Sequence, residues 1–269
     1  MNQTHGALPF PVTAGGAVAI DPSPATPSWP GLAIAAGRLG IALDDEALAR
    51  FARYREVLLE RNAQFNLTAI RDREGIECKL FLNALAIVPA LDAVKSLHAH
   101  HRTRLVDVGA GAGFPGLPLQ IARPDLDLTL VDATAKKTVF LNEVIADLGL
   151  DHARAIHGRA EDLGQDRGYR ERFDVAAARA VASLPVLLEY VVPFLRVGGT
   201  ALLPKGLQID EELRHGRRAA KILGAEIVSA DRLPIDGTRL VIATKAEPTP
   251  ADYPRRIGLP SRSPLGKGP

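Results

Sequence analysis

Three glycines at alternate positions, Gly109, Gly111 and Gly113, follow the apolar run Leu105-Val-Asp107-Val. A strand that ends in such a turn can bring its backbone against a ligand, because glycine lacks the Cβ that would hold the ligand off. Two patterns share this turn. Gly111-Ala-Gly113-Phe-Pro-Gly116 has the spacing of a dinucleotide fingerprint, and an acid, Asp132, stands about 20 residues further on, where that fingerprint places its ribose ligand. The glycines alone leave a nicotinamide dinucleotide and S-adenosylmethionine both open.

Asp107 separates them by charge. A carboxylate two residues before Gly109 would repel a pyrophosphate, whereas it can pair, directly or through water, with the ammonium of a methionyl group. The pattern favours S-adenosylmethionine. Asp132 is placed to accept hydrogen bonds from the ribose hydroxyls of either cofactor. Both acids have a structural alternative: Asp107 can close a turn, and Asp132 can cap a helix beginning near Ala135.

Further along, Arg159-Ala160-Glu161-Asp162 follows a third β-like run, where the adenine edge belongs. A backbone group of Ala160 or the Glu161 carboxylate can meet the adenine amino group there; a plain surface turn is the alternative. The run Phe173-Asp-Val-Ala-Ala-Ala178 is small in side chain and leads to Arg179. A cation at that edge suits orientation of a substrate or nucleic acid better than a core position. Lys205, in Pro204-Lys-Gly206, occupies the equivalent rim position, with a solvated loop cation as its alternative. No acid–base dyad stands out, so any catalytic part falls to positioning by Arg179 and Lys205.

The elements that must hold these residues are legible in outline. Short β-branched or leucine-rich runs near 104–108, 127–132, 154–157, 173–178, 199–203, 226–231 and 238–244 read as strands, and segments near 115–123, 135–148, 183–195 and 209–223 read as helices. The link through Pro234 to Thr238 is too short for a crossover helix, so the last two strands are antiparallel. This is the α/β class I S-adenosylmethionine-dependent methyltransferase pattern, a Rossmann-like seven-stranded sheet with the last strand antiparallel. An N-terminal helical extension precedes it. In that extension Leu48, Phe51, Tyr54 and Leu58 recur at helical spacing after the acidic start Asp44-Asp-Glu46, and a second apolar run covers Phe81 to Leu91. The expected division is a disordered Pro- and Gly-rich leader over 1–39, the helical extension over 40–100, the catalytic domain over 101–247 and a basic tail over 248–269.

Composition sets the limits. The 269 residues, 46% hydrophobic, suffice for one catalytic domain with extensions. No stretch approaches the roughly 20 apolar residues of a membrane span, and Met1 to Ala14 lacks the basic start of a signal peptide, which points to the cytoplasm. A single cysteine, Cys78, rules out an internal disulfide or a cysteine-built zinc site and reads as buried packing; no metal is expected. With a net charge of only +2, a polyanionic partner has to be argued from local patches. Two such patches stand out: Arg214, Arg217, Arg218 and Lys221 on one helix, and Arg255, Arg256, Arg262 and Lys267 in the tail. Glu211 and Glu212 make a solvated face the alternative for the first.

Taken in order, Phe65-Asn-Leu-Thr-Ala-Ile70, Val106-Asp-Val-Gly-Ala-Gly-Ala-Gly-Phe-Pro-Gly-Leu-Pro118, Val131-Asp132 with Lys136-Lys137 and Phe140-Leu141, Arg159-Ala-Glu161, Ala178-Arg-Ala-Val-Ala-Ser183, Pro204-Lys-Gly206 and Tyr253-Pro-Arg-Arg-Ile-Gly-Leu-Pro260 resemble the RsmG (GidB) family of bacterial 16S ribosomal RNA guanine-N7 methyltransferases. The resemblance spans roughly residues 60 to 265. It implies methyl transfer to a guanine of 16S rRNA in the small subunit, with Gly109 and Phe114 contacting cofactor, Ala160 and Glu161 contacting adenine, and Arg179 as a further cofactor-side contact near the substrate mouth. The helix reading Lys79-Leu-Phe-Leu-Asn-Ala-Leu85 departs from it: Leu80, Asn83 and Ala84 stand where the family commonly has a His and an Asp-Ser pair, so no catalytic role transfers to this helix.

Under this reading a looped guanine stacks on an aromatic surface, for which Phe114, Tyr253 and Phe65 are candidates, Phe65 being first a core residue. Lys205, Arg214, Arg217, Arg218, Arg255 and Arg256 would meet phosphates. The chain is expected to act as a monomer. An NAD-dependent oxidoreductase and a non-catalytic ribosome-binding protein of the same fold are the alternatives.

Overall fold

The computed structural model describes residues 30–97, 102–235 and 237–266; most of the expected leader and Lys267 lie outside the described residues. The part of the leader that is described is ordered: Leu32–Arg38 forms helix α1 and buries Leu32, Ala35 and Ala36. A short apolar run inside a Pro- and Gly-rich stretch was enough to dock it.

Helix α2, Asp45–Phe65, starts where its acids predict. The Asp44 side chain accepts a hydrogen bond from the Ala47 amide at 2.7 Å, and Phe51, Tyr54 and Leu58 turn inward. The second helical run is broken into α3 (Arg73–Gly75), a π-helical segment (Ile76–Leu82), α4 (Asn83–Leu85) and α5 (Val88–Ser96). Pro89, in the first turn of α5, accounts for the fresh start after Leu85. Cys78 is half-buried rather than fully packed.

The remainder alternates strand and helix: β1 (Arg104–Val108), α6 (Gly116–Ala122), β2 (Asp127–Asp132), α7 (Ala135–Asp147), β3 (Ala153–His157), α8 (Ala160–Leu163), β4 (Phe173–Ala177), α9 (Leu184–Val191), β5 (Leu195–Lys205), α10 (Asp210–Ile222), β6 (Ala225–Arg232), β7 (Arg239–Lys245) and α11 (Leu259–Arg262). They form one sheet in the order β3-β2-β1-β4-β5-β7-β6, with β7 antiparallel to both neighbours and the other pairs parallel. This is the class I methyltransferase sheet. Its strands alternate faces: Leu105, Leu128, Leu130 and Val175 join the core shared with α2, α5, α6 and α7, while Val106, Val108, Val131 and Ala176 join the core under α9 and α10. The strand order reverses direction at β1, between β2 and β4, which is where a doubly wound sheet opens a ligand crevice. No helix among the described residues is long and apolar enough to cross a membrane.

Candidate active site

The turn after β1 is built by its glycines and two carboxylates. Gly109 adopts φ +73°, and a Cβ there would stand 2.7 Å from Val181, so only glycine fits. Asp107 does not stand at the entrance of the turn, as its position in sequence suggested. Being two residues from Leu105, it faces the same side of the sheet, is wholly buried, and its Oδ2 accepts a hydrogen bond from the Gly116 amide at 2.8 Å. Its Oδ1 has no hydrogen-bond partner among the described residues. Burial pushes the Asp107 carboxyl up to about 7, and the Gly116 amide and the Arg179 charge pull the other way. Asp132 ties the far side of the turn: Oδ2 accepts from the Gly111 amide at 2.9 Å and Oδ1 from the Thr134 amide at 2.8 Å. It is not the cap of α7, whose N-cap is Thr134 without a side-chain bond, but it ties the turns on both sides, and each oxygen keeps a second lone pair.

Two cavities open along the carboxyl edge of the sheet. The first, about 390 Å³, is lined by Gly109, Asp132, Gly158, Ala160, Glu161 and Tyr190, with Val108, Val131 and Val181 supplying apolar walls. Glu161 is buried, and its Oε1 accepts from the Gly258 amide at 3.1 Å. The second, about 540 Å³, is lined by Asn83, Arg179, Ala180, Pro204, Lys205 and Thr238. A single loop serves both: Val181 lines the first cavity, and Arg179 and Ala180 line the second.

Gly109, Asp132, Ala160 and Glu161 are thus gathered in one place. Other expected residues are placed elsewhere. Gly113 lies deeper, where a Cβ would meet the Tyr54 hydroxyl at 2.6 Å. Phe114 is buried and stacked on Tyr54 at 5.5 Å between centroids, so its ring is a wall of the helical extension and lines neither cavity. Arg179 sits over the Phe114 ring, 5.4 Å from its centroid, and lines the second cavity. Lys205 is mostly buried, donates to the Ala182 carbonyl at 2.8 Å and pairs with Glu212 at 2.9 Å. Arg255 makes a bidentate pair with buried Glu189, through Nε at 2.8 Å and Nη2 at 2.6 Å. Both of these cations already have a carboxylate partner. Tyr253 is half-buried against the domain, Phe65 is exposed instead of packed, and Arg214, Arg217, Arg218 and Arg256 are exposed. On α10, Leu213, Gly216, Ala219 and Ala220 face inward, which leaves Arg214, Arg217 and Arg218 on the solvent side.

Residues 47–236 match the family described as rRNA small subunit methyltransferase G. The chain is 43% identical over 229 residues to the ribosomal RNA small subunit methyltransferase G of Leuconostoc citreum, covering 84% of this chain and 94% of that one. It is 44% identical over 234 residues to the protein of the same name from Acetivibrio thermocellus, covering 86% and 93%. The chain belongs to the rRNA small subunit methyltransferase G family. Among solved structures, a geranyl diphosphate methyltransferase in complex with its cofactor aligns with a TM-score of 0.47 at 18% identity, over 61% of this chain and 87% of that one.

The family match takes in every residue lining the two cavities except Thr238. Several lining residues were not singled out in the sequence. Tyr190 lies in the apolar run of α9 and reads as core, Ala133 and Gly158 stand in none of the motifs, and Asn83 was visible only as a departure from the family pattern.

Proposed function

We propose that this protein transfers the methyl group of S-adenosylmethionine to N7 of a guanine in the 16S rRNA of the small ribosomal subunit. The observation that carries the reading is the shared loop Arg179–Val181, which lines one cavity of nucleoside type and a second with a cationic rim. The first cavity takes the cofactor. Asp132 receives the ribose hydroxyls on its remaining lone pairs, and Ala160 and Glu161 meet the adenine edge. The unbonded Oδ1 of Asp107 is the acceptor for the methionyl ammonium, directly or through water. Gly109 lines this cavity in the left-handed conformation, which supports the same assignment.

The dinucleotide reading loses support at one atom. Proteins that hold a pyrophosphate at this turn offer it the amides at the helix N-terminus. Here the Gly116 amide is already bonded to Asp107, inside the protein.

When bound, the cofactor supplies a methyl group already activated by a sulfonium. Guanine N7 attacks with a lone pair and carries no proton, so no residue has to act as a base. The chain's contribution is to hold N7 in line with the methyl carbon, an effect worth about 7–11 kcal/mol in well-oriented systems. Arg179, steadied on Phe114, is suited to the guanine O6 or a flanking phosphate; close to the ring itself it would oppose the charge arriving on the base. Lys205 and Glu212 hold the rim in shape. A base reaches this site only when unstacked, and the exposed ring of Phe65 is available to RNA. We place the protein in the cytoplasm, acting as a monomer and without a metal, because N7 attack requires none.

Calorimetry with S-adenosylhomocysteine and with NAD tests the cofactor assignment. The expected result is binding of S-adenosylhomocysteine alone; binding of NAD alone overturns it.

A further inference from the structure

The C-terminal residues read in sequence as a basic RNA-binding tail, but their contacts point to the nucleoside cavity. Arg170 donates to the carbonyls of Gly164 at 2.9 Å, Tyr253 at 2.6 Å and Thr249 at 2.7 Å. Gln165 donates to those of Ala251 and Pro254, both at 3.0 Å. Gly164 follows α8, and a Cβ on it would lie 2.9 Å from the Pro254 ring. The tail therefore rests on the helix that carries Ala160 and Glu161. Arg255 then locks onto Glu189 of α9, adding a backbone bond from its own amide at 2.9 Å. Two contacts beyond it reach residues that line the first cavity: the Gly258 amide donates to Glu161 Oε1 at 3.1 Å, and the Ser261 hydroxyl lies 3.0 Å from that of Tyr190.

We propose that residues 253–262 form the outer support of the nucleoside cavity, fixing Glu161 and Tyr190 for the adenosine end of the cofactor, with Arg255 as a positioning residue that acts through Glu189. A buried carboxylate such as Glu161 needs a fixed donor to hold one orientation, and the tail supplies it. The family model itself ends at residue 236, while Tyr253 to Pro260 is one of the motifs that carry the resemblance. The inference rests on the assignment of the first cavity to S-adenosylmethionine.

The test compares wild type, Arg255→Ala, Arg255→Lys and Ser261→Ala as full chains. Affinity is measured for S-adenosylhomocysteine and for 5′-methylthioadenosine, which keeps the adenosine and lacks the amino-acid end. RNA affinity is measured against salt concentration. Arg255→Ala should weaken both nucleosides by about tenfold, with partial recovery in Arg255→Lys and an unchanged salt slope for RNA. Because Arg255→Ala leaves Glu189 buried without its partner, Ser261→Ala gives an independent reading: about threefold weaker binding of both nucleosides. Unchanged nucleoside affinity in the folded variants overturns the inference. So does a loss that spares 5′-methylthioadenosine, or a salt slope that falls by about one in Arg255→Ala. If wild type binds neither nucleoside, the assignment of the cavity itself falls, a result distinct from wild-type binding that the substitutions leave intact.

Discussion

The amide of Gly116 donates to Asp107 Oδ2 at 2.8 Å, so the start of helix α6 is closed by a carboxylate from the end of strand β1. A Cβ at position 116 would lie 2.8 Å from that same oxygen and 2.6 Å from Leu130, which is why the last glycine of Gly111-Ala-Gly113-Phe-Pro-Gly116 is a glycine. Its spacing mimics a dinucleotide fingerprint, but here the glycine admits an internal acid instead of a phosphate. The other oxygen of Asp107 has no hydrogen-bond partner among the described residues.

This carboxyl should give stability and cofactor affinity opposite pH dependences. Its ordinary value is 3.8, and burial first of all raises it to about 7 in the folded protein. Between those values the folded state holds a proton that the unfolded chain releases, so stability is full below about pH 4 and is lost as pH rises through 7. Asp107→Asn should flatten that decline in urea unfolding curves. Affinity for S-adenosylhomocysteine should instead rise with pH, at most about tenfold per unit below 7, because the ammonium pairs with the ionised form. A pH-independent affinity in wild type would take that role away from Asp107.

Asp132 should show a stability cost along with its binding cost. It accepts from two backbone amides, Gly111 and Thr134, so Asp132→Ala is expected to lose about 1–3 kcal/mol of stability as well as cofactor affinity. Asp132→Asn keeps an acceptor for one amide and should remain folded while binding S-adenosylhomocysteine at least about tenfold more weakly. Equal affinity in a folded Asp132→Asn variant argues against the ribose contact.

Arg179 opens onto the second cavity and rests on Phe114, so its loss should separate transfer from cofactor binding. Arg179→Ala is predicted to lower the single-turnover rate by about 100-fold, the scale of a misplaced reactant, while the affinity for S-adenosylhomocysteine stays within about twofold. A variant that loses cofactor affinity and keeps its rate places Arg179 on the wrong side of the site.

On α10, Arg214 is exposed and has no ion-pair partner among the described residues, in contrast to Lys205, which is tied to Glu212. Arg214→Ala should reduce the slope of log affinity for rRNA against log salt by about 0.7–0.9, and Lys205→Ala should leave it unchanged. A slope that responds to Lys205 and ignores Arg214 reverses the assignment.

The sheet was legible because Leu105–Val108 and Leu128–Val131 are apolar apart from Asp107 and Thr129, and the bounds 104–108 and 127–132 are those of the structure. Strand β5 begins at Leu195, four residues before the 199–203 run, because Gly198-Gly199 reads as a break; the strand crosses it on an irregularity, pairing Leu195 with Phe173 and next Thr200 with Val175. Helix α8 has only four residues, too few to show a period. The buried place of Asp107 was available from strand parity with Leu105. Which cations were free was not: the partners of Lys205 and Arg255 come from distant segments, Glu212 and Glu189. The anchorage of the tail was hidden for a related reason. Its ties run from Arg170 and Gln165 to backbone carbonyls, and carbonyls leave no mark in a sequence.

The central claim is methyl transfer to guanine N7, and one incubation reaches it. Small subunits lacking the modification, or naked 16S rRNA, are mixed with the protein and S-adenosylmethionine labelled in its methyl group, and the RNA is digested to nucleosides. The label should appear in 16S rRNA as 7-methylguanosine at a single site; RNA that stays unlabelled, or label recovered on another base or atom, contradicts the account.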